Sequence, residues 1–394
     1  MARIAVDPAR VAEQAARASY GRLVALLAAP GRDIHRAEDA LGDAFVAALT
    51  TWPQRGVPEN PEAWLLTAAR NRQRDLMKSS AAKGVELDDV YTVLDEIDLE
   101  SIPDKRLELL FVCAHPAIDP AVRTPLMLQT VLGFEAADIA RAFAMPASTM
   151  AQRLVRAKRR IREAGIPFVI PTLADLPARL PAVLEAVYGA YAIDWRPVAG
   201  TTLRDSLSSE ALYLALTLAE LHPDGETLGL AALISLSTSR RVHDGFVPLG
   251  EQDPADWDAA LIAQGESLLA RAHALGGTGR FQLEAAIQSW HCSRSTDSAA
   301  LVALHRALIE VAPTLGAHVA LASLLDPDAG LAHLDALGAA ADRFQPAWAT
   351  RAHLLQAAGR DADAAYAKAI SLTTDGEVRG YLERKRRDAA RSPS

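Results

Sequence analysis

Six cations and no anion occupy residues 153–162: Arg153, Arg156, Lys158, Arg159, Arg160 and Arg162. Positive charge at this density suits the neutralisation of a phosphate backbone, and arginine also reads base edges in bidentate fashion. The residues before them set the geometry. Residues 135–163, EAADIARAFAMPASTMAQRLVRAKRRIRE, divide into two short helical patterns. Ile139, Ala140 and Phe143 give the first an apolar face. Met145, Pro146 and Ala147 then break it, because proline cannot extend the helical hydrogen-bond ladder. Ser148 and Thr149 are suited to cap the second helix, and Met150, Leu154 and Ile161 continue an inward stripe. The layout is that of a helix-turn-helix whose second helix enters the major groove of DNA by its N-terminal end. The plainer reading of these residues is a helical hairpin with a solvated basic face.

Catalytic constellations are absent. The chain has no G-x-x-x-x-G-K-[ST] loop, no G-x-G-x-x-G after a strand, no H-E-x-x-H and no G-x-S-x-G. His222, His243, His273, His291 and His305 are scattered through the C-terminal half and are expected at the surface or at helix ends. Gly276, Gly277 and Gly279 follow no strand and are read as a turn between helices. Cys113 and His115 lack a third ligand, so Cys113 is expected to be a buried thiol. With Cys292 the only other cysteine, no disulfide framework is expected and a reducing cytoplasm fits. No catalytic residue, metal site or cofactor is expected.

These residues must be positioned by helices. Of 394 residues, 50% are hydrophobic but only 5% aromatic, and alanine, leucine and arginine dominate over β-branched types. That balance predicts an all-α fold of two or three domains. Residues 1–168 hold 22 Lys and Arg against 22 Asp and Glu, so the net charge of −8 belongs to the remainder. Positive charge in the front half is therefore local. Helices are predicted over 9–30, 33–51 and 61–80. The second carries an inward stripe of Ala37, Leu41, Ala44, Phe45, Ala48 and Leu49, with Glu38, Asp39 and Asp43 opposite. The third begins at Pro61 and carries Arg70, Arg72, Arg74 and Lys78. An acidic stretch over 83–104 has eight acids between Lys83 and Lys105 and reads as a partly helical linker. More helix follows over 105–134, with Leu107, Leu109, Leu110, Phe111, Leu126 and Leu128 apolar, and prolines mark a boundary over 167–181. Beyond it, residues 348–372 have the small-residue pattern of a tetratricopeptide-type helix pair, with weaker copies at 299–337 and 210–236. The domains expected are 1–82, a linker over 83–104, 105–168, and a helical-repeat domain over 175–394. No apolar run approaches the roughly 18 residues of a membrane span, and the expected location is the cytoplasm.

Three stretches carry a likeness to a known family: AEDALGDAFVAAL (37–49), PENPEAWLLTAARNRQRD (58–75) and STMAQRLVRAKRRIREAGIPF (148–168). Together they resemble the extracytoplasmic-function sigma factors of bacterial RNA polymerase. The whole chain resembles the subgroup with a long helical C-terminal extension. The resemblance implies two small helical sigma-type domains joined by the acidic linker and followed by an α-solenoid-like regulatory domain. It implies that Glu38, Asp39, Leu41, Asp43 and Phe45 grip core RNA polymerase. It implies that Arg70, Asn71, Arg72 and Arg74 face the opened minus-ten element of promoter DNA. Ser148, Thr149, Gln152, Arg153, Arg156 and Arg159 would meet the minus-thirty-five element, and a regulatory protein or small ligand would act on the C-terminal domain. The chain departs from relatives after Asp75, where Leu76, Met77, Lys78, Ser79 and Ser80 are less basic. It departs again at residues 191–195 and 237–240. The second function class is a sigma-like protein without initiation activity, serving as a helical-repeat adaptor or ligand sensor.

Overall fold

A computed structural model describes residues 7–81, 103–143, 145–172, 174–192, 196–240, 246–293, 295 and 297–391. Among them the fold is all-α, with short 3-10 turns and no strand. None of the described helices is long and apolar enough to cross a membrane. Most of the acidic stretch (residues 83–102), residues 193–195 and His243 lie outside the described residues.

The chain divides into two compact units, Met1–Thr217 and Leu218–Ser394. The first opens with α1 (Pro8–Ala28), α2 (Ile34–Arg55) and α3 (Pro61–Ala81), which pack pairwise. Asp7 and Asp33 start α1 and α2 by accepting from the Ala9 and Arg36 N–H groups at 3.0 and 3.1 Å. Leu23, Leu26, Ile34, Leu41, Trp52 and Leu65 fill the core, and Trp64 meets Trp52 edge-on at 5.5 Å. α2 runs through Pro53 to Arg55, past its expected end, because a proline this near a helix C-terminus removes only one bond from a solvated turn. Its buried row is Ala37, Ala40, Leu41, Ala44, Ala48 and Trp52. Leu49, expected inside, is 50% exposed, and Trp52 takes the buried position one turn on.

Next come α4 (Pro103–Cys113), α5 (Pro120–Thr130), α6 (Ala136–Ala142), α7 (Ala147–Glu163), α8 (Leu180–Ala192) and α9 (Arg196–Leu221). α4 packs on α1 and α7 on α2. The tightest approach is at Gly21, where a Cβ would sit 1.8 Å from the Val131 carbonyl oxygen. Arg32, in the left-handed region at φ 51°, donates to the Gly165 carbonyl at 3.0 Å. The expected boundary at 167–181 is not where the chain divides. Leu176, Leu180, Val183, Leu184 and Val187 are buried, α8 packs on α5, and Arg179 donates to the Phe111 carbonyl at 3.4 Å. Arg106 pairs with Glu210 and lies 4.8 Å over the Tyr213 ring. Prolines there interrupt helices, but burial of the leucines and valines between them ties the segment to the first unit.

In the second unit, α10 (Gly225–Thr238) packs against both α11 (Ala259–Ala274) and α12 (Arg280–Ser293). Asp224 and Thr227 form a reciprocal capping box at its start. Every residue from Thr227 to Leu236 is buried, as expected of a helix without a polar face. Gly276 and Gly277, at φ 76° and 79°, make the turn before α12. Then α13 (Ser298–Val311), α14 (Leu315–Ala322), α15 (Pro327–Ala336), α16 (Gln345–Ala357), α17 (Asp363–Leu372) and α18 (Gly376–Arg391) each pack on the next. Ala352, Ala365, Tyr366 and Ala369 let α16 and α17 close together. The stack also closes back on itself. Lys385 of α18 pairs with Glu251 at 3.1 Å, and the rings of Tyr381 and Phe246 meet at 5.4 Å.

Of the scattered histidines, His305 departs from expectation, whereas His291 is partly exposed in the last turn of α12, as expected. His305 is 7% exposed, with its Nδ1 buried and unpartnered among the described residues, because α13 turns it inward with Leu301 and Leu308. Burial, with Arg240 and His305 nearby, pushes the His291 imidazole down to about 4. An unfolded histidine takes up its proton near pH 6.5, whereas native His291 stays neutral until about pH 4. The native state therefore loses stability as pH falls through that window. The thermal midpoint of the full chain should drop between pH 6.5 and 4, and His291→Phe should flatten that drop. Gly21→Ala should cost about 1–3 kcal/mol in chemical denaturation, by forcing α1 off the Val131 backbone.

Candidate nucleic-acid interface

α7 begins directly after Pro146, at φ −63°, with no side-chain cap. Ser148 and Thr149 therefore lie inside the first turn and do not cap it, since proline has already set the entry into the helix. The buried row is Met150, Leu154, Ala157, Lys158 and Ile161. At roughly 100° per residue, Ser148, Gln152, Val155, Arg156 and Arg159 fall on the opposite side, and all five are exposed. Arg153 is exposed on the flank and Thr149 is half-buried. The Arg156 guanidinium donates to Gln152 Oε1 at 3.4 Å, and Arg159 lies 3.5 Å from Glu163. In α6, Ile139 and Ala140 are buried as expected. Phe143 is 39% exposed, because the backbone has left helical geometry there.

Lys158 departs from the basic face. Its side chain is 7% exposed, and its ammonium donates to both Glu38 carboxylate oxygens at 2.7 and 2.6 Å. Burial raises the Glu38 carboxyl above its usual range, and Lys158 opposes that rise. A second pair, Arg162 with Asp33 at 3.2 Å, flanks it. Of the six cations in this run, Lys158 is thus committed to holding α7 on α2. Periodicity places it beside Ala157 on the buried side, a signal that charge alone concealed.

The residues of α2 and α3 separate in the same way. Leu41 is fully buried and presents no surface; it anchors α2 in the core. Glu38 is occupied by Lys158. Asp39 and Asp43 stay exposed, Phe45 is half-buried, and Val46 and Leu49 are 65% and 50% exposed beside them. Neither Val46 nor Leu49 was expected at the surface, yet they supply the apolar part of this face. On α3, Asn71 and Arg72 are exposed, whereas Arg70 and Arg74 are half-buried. Arg72 pairs with Asp43 at 2.6 Å, which joins the acidic face of α2 to the basic face of α3. Gln73 of α3 is buried and donates to the Leu27 carbonyl of α1 at 3.3 Å.

Elsewhere the chemistry is structural. Cys113 is buried, lies 3.4 Å from the Thr130 hydroxyl, and is pushed up to about 12 by burial. His115 Nδ1 accepts from the Ala117 N–H at 3.1 Å, as a turn residue would. No group of three metal-ligating side chains exists among the described residues. In the second unit a shallow groove of about 520 Å³ runs along α13, lined by Ser298, Val302, Ala303, Arg306 and Glu310.

Residues 179–273 match a family of unknown function (DUF6596). An uncharacterized protein of Rhizobium meliloti (strain 1021) is 31% identical over 389 residues, which cover 92% of each chain. The chain belongs to the family of that protein. The similarity extends over both units. No solved structure matches the chain.

Removing one partner of a buried ion pair strands the other charge. Lys158→Ala should cost the first unit about 3 kcal/mol in denaturant unfolding. The double change Lys158→Met with Glu38→Leu should recover most of it. Equal losses in the single and double variants would mean that the stranded Glu38 charge is not what costs the single variant its stability.

Proposed function

We propose that the chain is a bacterial transcription initiation factor that binds core RNA polymerase and directs it to promoters. The observation that carries this reading is the outward face of α7. Ser148, Gln152, Arg156 and Arg159 stand together there without an acid until Glu163. Short hydroxyls and amides suit base edges, and the arginines suit guanine and phosphate. Arg153 extends the same cationic surface.

In this reading the first unit combines two sigma-type domains, one formed by α1–α3 and one by α4–α7. Asp39, Asp43, Phe45, Val46 and Leu49 form the polymerase-facing surface of α2, with acidic groups around an apolar strip. Asn71 and Arg72 lead the strand-facing surface of α3, flanked by Arg70 and Arg74. The second unit is a tetratricopeptide-like regulatory extension, whose successive helix pairs provide surface for a protein or small ligand. The protein acts by binding, in the cytoplasm, and carries out no reaction of its own.

Arg153→Ala with Arg156→Ala should abolish promoter binding and run-off transcription while leaving core polymerase binding intact. Asp43→Lys, which also loses the Arg72 pair, should weaken capture of core polymerase several-fold. Full-length protein that captures no core polymerase would sink the initiation reading. It would move the weight to an adaptor role, with the α13 groove as the surface to test.

A further inference from the structure

The outward face of α7 contains one side chain that neither phosphate binding nor helix stability explains. Val155 is 52% exposed, yet it sits among polar and charged groups. It follows Gln152 by three residues and precedes Arg159 by four, so all three are neighbours on the helix surface. A β-branched residue is a poorer helix former than the leucine or alanine used elsewhere in this chain. Its position opposite the buried row also leaves it no core to join. The basic side chains around it disfavour an apolar protein partner, because docking one there would strip water from several guanidinium groups.

We propose that Val155 contacts the 5-methyl group of a thymine in the major groove and makes α7 selective for it. This deepens the reading of α7 as a DNA-binding helix and rests on it. The thymine methyl is the one apolar feature of a base edge in that groove. Gln152 suits the adenine edge through its amide, and Arg156 suits guanine through its guanidinium. The O4 and N4 groups separate thymine from cytosine by hydrogen bonding, and the methyl is read by an apolar group on the same face. Val155 supplies it one turn from Gln152, so the preferred element carries a thymine in or beside the base pair that Gln152 reads.

The test uses full-length protein with core RNA polymerase. Bound duplexes are selected from a randomised pool, and the enriched duplex is rebuilt with each thymine replaced in turn by uracil. The expected result is a loss of about fourfold in affinity at one position, the value of burying a single methyl group. Val155→Ala should bind the thymine duplex less tightly by a similar factor and show no response to uracil. Val155→Ile, which keeps the branched apolar surface, should retain the response. Indifference of the unaltered protein to uracil at every position would overturn the assignment. A response undiminished in Val155→Ala would do the same. If no duplex is enriched, the DNA-binding reading itself fails and the inference goes with it. Enrichment without uracil sensitivity removes Val155 alone and leaves that reading standing.

Discussion

The ion pair between Lys158 and Glu38 is the buried polar contact that joins α7 to α2. A buried charged lysine needs a counter-charge, and burial raises the Glu38 carboxyl while Lys158 opposes that rise. Each group therefore requires the other, and the requirement holds α7 against α2. Arg162 with Asp33, and Arg32 with the Gly165 carbonyl, add two contacts along the same seam. These contacts fix the rotation of α7 about its own axis. Ser148, Gln152, Val155, Arg156 and Arg159 face outward because Lys158 faces in.

The seam also couples the two surfaces assigned to partners. Glu38 lies on the helix proposed to meet polymerase, and Lys158 on the helix proposed to meet DNA. Separating α2 from α7 would expose both charges, and water would then compensate them. Arg72 with Asp43 ties α2 to α3 in the same manner, though both side chains are about half exposed and the pair is correspondingly weaker.

The second unit follows a different logic. Its helices bury alanine and leucine against their immediate neighbours, so cohesion accumulates pair by pair. α10 is the exception, enclosed by α11 and α12 with all its middle residues buried. Lys385 and Tyr381 bring the last helix back to the segment of Phe246 and Glu251, which limits the freedom that a simple stack would have.

Much of this was legible in the residues alone. Ala-, Leu- and Arg-rich composition favours helices, and the helix expected from Asp33 begins there, with Asp33 as its cap. The periodic placing of Met150, Leu154 and Ile161 identifies α7 and its inner side. The proline-rich segment at 167–181 misled as a boundary, because proline reports where a helix stops and not where packing stops. Lys158 and His305 are buried against what their polarity suggests, for one reason. Charge and polarity describe what a side chain prefers when alone, and burial depends on which helix arrives opposite it. Periodicity along one helix reveals an inner and an outer face, so the sequence by itself determined the helical class and the cationic character of α7. Only tertiary packing decided which cation would be taken by a carboxylate 120 residues away and which valine would be left facing solvent, because those outcomes belong to pairs of helices and not to either one.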